Sequence, residues 1–325
     1  MPADASSFHR KWGHLARPHV RALAWLLDSP DLLDPHSPHW QGRIATLGPV
    51  SPAVANWLAD LDADPSPLDA ALGNRFYSRL GLYAEKLMAF YFAAHGTLAA
   101  HGLQVRDGRN GTIGEFDFLL REEGREGLRH IEFATKFYLL DGDPDTGNYN
   151  RLVGPNLADT LGLKMRKIFQ SQLQLSRHPA AQQLVPAPVV SAQALVKGWL
   201  FYHAAEAAPR IEGISPDHCR GHWRTVGEQA GASDEQFIVM PRLQWLAPLR
   251  TPVERKEDAP TPAPLARQAL LDVLAEKFAT DPNPVMVATV REEGGWLEEV
   301  ERGFVVPDDW RARAQARRRD GDLPA

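Results

Sequence analysis

The stretch Thr112–Tyr138, TIGEFDFLLREEGREGLRHIEFATKFY, constrains this chain more than any other. Two runs of alternating apolar and ionisable residues flank EEGREG, a charged, glycine-containing segment, and that pattern predicts a β-hairpin with a short polar turn. The strands are expected over about Ile113 to Arg121 and Leu128 to Tyr138. Successive side chains on a strand point to opposite faces. Parity therefore puts Phe116, Phe118 and Leu120 on one face of the first strand, and Ile113, Glu115, Asp117 and Leu119 on the other. On the second strand Ile131, Phe133 and Phe137 share a face, with His130, Glu132, Ala134 and Lys136 opposite.

An antiparallel pairing with the turn between Gly124 and Arg125 sets Arg121 across from Leu128, Leu119 from His130, and Asp117 from Glu132. Directly opposed residues hold their Cβ atoms roughly 4.5–5.5 Å apart, and like charges so placed destabilise a sheet. A divalent cation is the simplest compensation. Magnesium takes oxygen ligands at about 2.0–2.1 Å, often using only one or two carboxylates plus substrate phosphate. Lys136 would add a positive charge on the same face, and Glu115, opposite Ala134, is a reserve ligand. The alternative is a solvated polar face with its charges apart. A bulge shifting the pairing by one residue would also undo the juxtaposition.

Composition narrows the function classes. At 325 residues, with 44% hydrophobic and 24% charged, the chain has the make-up of an ordinary globular protein. Its formal charge of −5 supplies no overall basic field, so contact with nucleic acid requires a local patch. Cys219 is the single cysteine, which excludes an internal disulfide and a thiolate metal cluster. No apolar run reaches the roughly 18 residues of a membrane-spanning helix, and no cleavable leader is recognisable; a cytoplasmic location is expected. No HExxH, GxSxG or P-loop motif is present.

Three parts are expected: a helical, loop-rich extension over 1–70, a core over 71–180, and a strand-rich extension over 181–325 that includes a helix and a hairpin turning at Gly294-Gly295. Apolar spacing predicts one long helix over Arg75 to His95, with Glu85 opposite its main buried stripe, and another over Ala158 to Leu175. The second carries Lys164, Lys167, Ser171 and Gln174 along one face, a basic surface suited to phosphate or simply to water. DGDPD, after Tyr138, reads as a surface turn, and TPVERKEDAPTPAP as a polar linker. Trp199, Trp223 and Trp245 are either core anchors, the favoured reading, or a platform for bases.

A helix carrying Glu85, a strand with Asp117, a strand with Glu132 and Lys136, and a further helix together resemble the core of the PD-(D/E)XK nuclease superfamily over about residues 75–180. More closely, GEFDFLL, HIEFATKFYL, GPNLADTLGLK, GWLFY and RGFVVPDDW resemble the bacterial domain of unknown function 1853 over most of the chain, a family grouped with those nucleases. The resemblance implies an α+β (α/β) fold: a restriction-endonuclease-like core of a mixed sheet flanked by helices, between the two extensions. It implies a metal-dependent phosphodiesterase acting on DNA or RNA. Asp117 and Glu132 would hold Mg²⁺ or Mn²⁺ with Glu85 a third carboxylate, and Lys136 would serve the attacking water. Lys164, Lys167 and Gln172 would face substrate. One departure stands out: the usual lysine position, two residues after the second acid, is Ala134, and Lys136 comes roughly 6.6 Å further along. A nuclease-like scaffold that binds nucleic acid or a protein partner without catalysis is the alternative.

Overall fold

The computed structural model describes residues 5–73, 77–107, 111–122, 124–142, 149–229, 234–254 and 261–321. Residues 143–145 of DGDPD and 255–260 of the TPVERKEDAPTPAP segment lie outside the described residues. The chain opens with four helices, α1 (Ala5–Trp12), α2 (Pro18–Asp28), α3 (Pro52–Ala63) and α4 (Ser66–Leu72). Proline at the first turn starts α2, α3 and α4, where its missing N–H costs no hydrogen bond. The long helix expected from residue 75 is α5 (Leu80–Ala94); it begins later because Arg79 is extended, at φ −118°, ψ 117°.

The strands are β1 (Leu98–Asp107), β2 (Gly111–Arg121), β3 (Leu128–Leu140), β4 (Leu152–Val153), β5 (Val189–His203), β6 (Cys219–Thr225), β7 (Gln236–Val239), β8 (Arg250–Pro252), β9 (Leu265–Ala266), β10 (Val285–Glu293) and β11 (Trp296–Val306). They form one mixed sheet in the order β1-β2-β3-β5-β6-β11-β10-β7-β9, with β4 beside β3 and β8 beside β11. This is the expected α+β class. Between β4 and β5 lie α6 (Leu161–Gln170), a 3₁₀ turn over Gln172–Arg177 and α7 (Pro179–Leu184). α8 (Arg267–Thr280) precedes β10, and α9 (Trp310–Gly321) follows β11.

The β2–β3 hairpin has the register that parity predicts: Arg121 pairs with Leu128, Leu119 with His130, and Phe118 with Ile131. The second hairpin, β10–β11, turns at Gly294 and Gly295, both at positive φ, which glycine adopts without steric cost. β5 returns parallel to β3 and pairs with it from Leu128 to Leu139. That close approach explains Gly198, where a Cβ would lie 1.9 Å from the Lys136 carbonyl oxygen.

The sheet has different cores on its two faces. Trp25, Leu87, Phe118, Phe133, Phe137, Phe201, Phe304 and Trp310 belong to one, which joins the N-terminal helices, α5 and α9. Ala134, Tyr138, Leu161, Met165 and Ile168 belong to the other, under α6. Trp199 and Trp223 are buried and act as core anchors, with Trp245 packed at the margin. Among the described residues, no helix is long and apolar enough to cross a membrane.

Candidate functional site

The β2–β3 ladder ends at the Phe118–Ile131 pair. Beyond it the strands fork. Phe133 N–H, which would otherwise need a carbonyl on β2, donates to Asp117 Oδ2 at 2.9 Å. Phe116 does not share the core of Phe118, as parity suggested; its ring stands edge-on to His130 with centroids 4.8 Å apart. Asp117 lies between these two phenylalanines, and its carboxylate meets the Phe133 N–H at the fork. The ladder also stops before Glu115 could oppose Ala134. Glu115 pairs with Gln104 of β1 instead.

Asp117 and Glu132 lie together at the fork, close enough that the charge of Glu132 opposes ionisation of Asp117. Burial, then the Glu132 charge, push the Asp117 pKa well above the carboxylate range. Glu132 is raised as well, by burial first, with Lys164 opposing the rise. Glu132 is 1% exposed, and its Oε2 has no hydrogen-bond partner among the described residues. The Nε2 of His130 lies 3.8 Å from that oxygen, beyond hydrogen-bond range. His130 is fully buried, and neither ring nitrogen is hydrogen-bonded among the described residues. Burial lowers its pKa to about 4, so the ring is neutral at pH 7.

The other oxygen of Glu132, Oε1, accepts from the Gln172 amide. Gln172 Oε1 in turn accepts from Lys164 Nζ at 3.2 Å. Gln172 can reach inward because α6 stops at Gln170, where a continuous helix to Leu175 was expected. Ser171 leaves helical geometry at φ −122°, ψ −64°, and the 3₁₀ turn that follows re-aims the next side chain. Lys164 is partly buried, and burial lowers its pKa while Glu132 and Asp117 support its charge. Lys167, a turn further on, also acts on Glu132 electrostatically.

Lys136 and Glu85 are placed otherwise. Lys136 Nζ is 3.1 Å from Asp159 Oδ2, which also accepts from Tyr138 Oη at 3.0 Å. The basic group that reaches the acid pair is thus Lys164. Glu85 sits on α5, on the Phe133 face of the sheet, and its carboxylate is bound to His101 Nε2 at 2.7 Å. It remains within electrostatic range of both Asp117 and Glu132. Sequence reasoning passed over His130, His101 and Asp159. Only His130 carried a signal, sharing the Glu132 face by parity; the other two are brought in by tertiary contacts.

The donor set can be tested against a metal. Among the described residues, no three His, Cys, Asp or Glu side chains form a group that could hold an ion. A closed protein cage is therefore not what these residues fit. Two neighbouring carboxyl groups, with one buried oxygen unpartnered among the described residues, do fit a hard cation bound through two carboxylates, its remaining positions left to water and phosphate. Among families of related proteins, the one described as a domain of unknown function (DUF1853) matches residues 21–306. No curated protein and no solved structure matches the chain.

Proposed function

The chain belongs to the DUF1853 family, a description that assigns no chemistry, and we propose that it is a Mg²⁺- or Mn²⁺-dependent phosphodiesterase acting on nucleic acid, of the PD-(D/E)XK nuclease kind. The observation that carries this reading is the pair of neighbouring carboxyl groups, half-buried Asp117 and buried Glu132, each held by a hydrogen-bond donor of the fold. Two carboxyl groups so placed need a proton or a cation between them, since like charges out of water are costly. Asp117 and Glu132 would hold the cation. When bound, it supplies Lewis-acid polarisation of a phosphoryl oxygen and a more acidic water.

The chain's own residues prepare that site. Phe133 N–H fixes Asp117 Oδ2 and the Gln172 amide fixes Glu132 Oε1, so both carboxyl groups are oriented before any ligand arrives. Lys164, held by Gln172, places a positive charge where it would offset the negative charge developing on phosphate. Glu85, tied to His101, adds negative potential from the other face of the sheet and favours cation entry. Lys167 is left for substrate contact, while Lys136 is engaged by Asp159.

Purified protein with Mn²⁺ is expected to cut DNA or RNA. Asp117→Ala should abolish the cleavage, and Lys164→Ala should slow it by about 10²-fold. Wild-type protein that binds no divalent cation in calorimetry and cuts neither polymer would overturn the assignment. The 1% exposure of Glu132 favours a second reading, a nuclease-like scaffold that binds nucleic acid or a protein without catalysis. The same metal titration separates the two, because a scaffold has no need of the cation.

A further inference from the structure

A cleft of about 1070 Å³ opens at the far end of β3, bounded by the start of α5, the 154–159 loop, the 239–245 segment and the 277–286 turn. Thr135 and Lys136 form part of its floor, three and four residues beyond Glu132 and thus about 10–13 Å along the strand. Neither Asp117 nor Glu132 lines it. The charge in this cleft is unbalanced. Its two carboxylates, Asp159 and Asp281, are already engaged, the first by Lys136 and Tyr138, the second by Lys277. Arg79 and Arg242 remain. Both are exposed, and neither has an ion-pair partner among the described residues.

Arg79 gives α5 no side-chain cap, and Gly81 and Leu82 of its first turn line the cleft. Thr135 lines it too, its hydroxyl buried with no hydrogen-bond partner among the described residues. The short 3₁₀ turn Arg242–Gln244 packs against α5, which brings the two arginines to neighbouring walls.

We propose that the β3 cleft is a binding site for phosphate-bearing ligands of the nucleotide class, with Arg79 and Arg242 as its phosphate contacts. The ligand is either a free nucleotide or a single-stranded segment of nucleic acid, two sources of one chemistry. Binding here needs no cation and no cleavage, so it is independent of the activity assigned to the acid pair.

The test is fluorescence anisotropy with a fluorescein-labelled ten-residue oligothymidylate, in EDTA at low salt. Wild-type protein should bind it, and Arg79→Glu combined with Arg242→Glu should weaken binding by at least about tenfold. Arg291→Glu, on an exposed part of β10, should leave binding unchanged. The single variants Arg79→Ala and Arg242→Ala, each expected to weaken binding about threefold, settle the matter should the double variant fail to fold. Displacement by millimolar thymidine 5′-monophosphate would identify the free nucleotide as sufficient, and displacement only by unlabelled oligonucleotide would identify the strand. No binding, or binding unchanged in the arginine variants, would overturn the inference. Metal-free binding lost in those variants, in a protein that never cleaves, would leave this site standing and remove the nuclease.

Discussion

Two buried charge clusters sit in the same sheet and are built on opposite terms. On β11, Glu299 and Arg302 are 2% and 1% exposed and satisfy each other. Arg302 donates to both Glu299 oxygens, at 2.6 and 2.8 Å, to the Ala247 carbonyl at 2.7 Å and to the Trp245 carbonyl, and it lies over the Trp199 ring. Glu299 Oε2 also takes Leu249 N–H at 2.7 Å. In the β2–β3 fork the charges are alike, one Glu132 oxygen is unpartnered, and His130 is buried beside it without a hydrogen bond. A fold that completes the first cluster so fully is able to satisfy buried polar groups. The shortfall in the second is local, and it coincides with the side chains suited to a cation. Mismatch of this kind marks a site more sharply than burial alone.

The sharpest attempt to break this contrast is Glu299→Ala. It leaves Arg302 buried without its counter-charge and should cost about 3–5 kcal/mol in urea denaturation; a loss below about 1 kcal/mol would mean the pair is not what completes that region. Next come two of the buried histidines, His218 and His130. His218 Nδ1 donates to the Ser215 carbonyl and its Nε2 accepts from Tyr202 Oη, so this ring is matched where His130 is not. Burial holds the His218 pKa at about 4, below the ordinary 6.5. As pH falls the unfolded chain takes up the proton first. The contribution of His218 is therefore complete above about pH 6.5 and declines between there and about pH 4, by roughly 2–3 kcal/mol. Urea midpoints at pH 7.5 and 4.5 should show a smaller decline for His218→Gln than for wild type; equal declines would remove the role given to this ring.

Asp117→Asn should act in the opposite sense from Glu299→Ala. In EDTA at pH 8 it removes one of two like charges and should stabilise the protein by on the order of 1 kcal/mol. The same change should abolish calorimetric Mn²⁺ binding. A destabilised variant would show that the acid pair is matched after all. The smallest effect is expected from His130→Leu, within about 1 kcal/mol of wild type and of either sign, because no hydrogen bond is lost and two buried nitrogens are removed. A loss above about 2 kcal/mol would reveal a bridging partner for that ring.

Much of the hairpin was legible in the sequence because strand parity is a local property. Period-two alternation and the EEGREG turn were enough to place Leu119 against His130, whereas the Asp117–Glu132 pair expected next lies beyond the last ladder pair, Phe118–Ile131. The break at Ser171 was not legible. The apolar spacing from Leu161 to Leu175 suits a helix throughout, and only packing against β3 and β5 selects the 3₁₀ turn. Without that break, Gln172 would not reach Glu132. The choice of lysine was hidden for the same reason: strand spacing points to Lys136, whereas Asp159, from a loop 23 residues on, engages it.

The sequence by itself determined the two hairpins and the two acids of the fork, which follow from residue order and short-range alternation, and, through the motifs it shares with its family, the family and the α+β class. Tertiary structure decided which groups surround those acids: Lys164 through Gln172, His130 from the buried face, and Glu85 turned to His101. It also decided that β5, β6 and β11 continue the same sheet and that Arg79 and Arg242 share a cleft. Those outcomes depend on contacts between residues far apart in the chain, which no local pattern encodes.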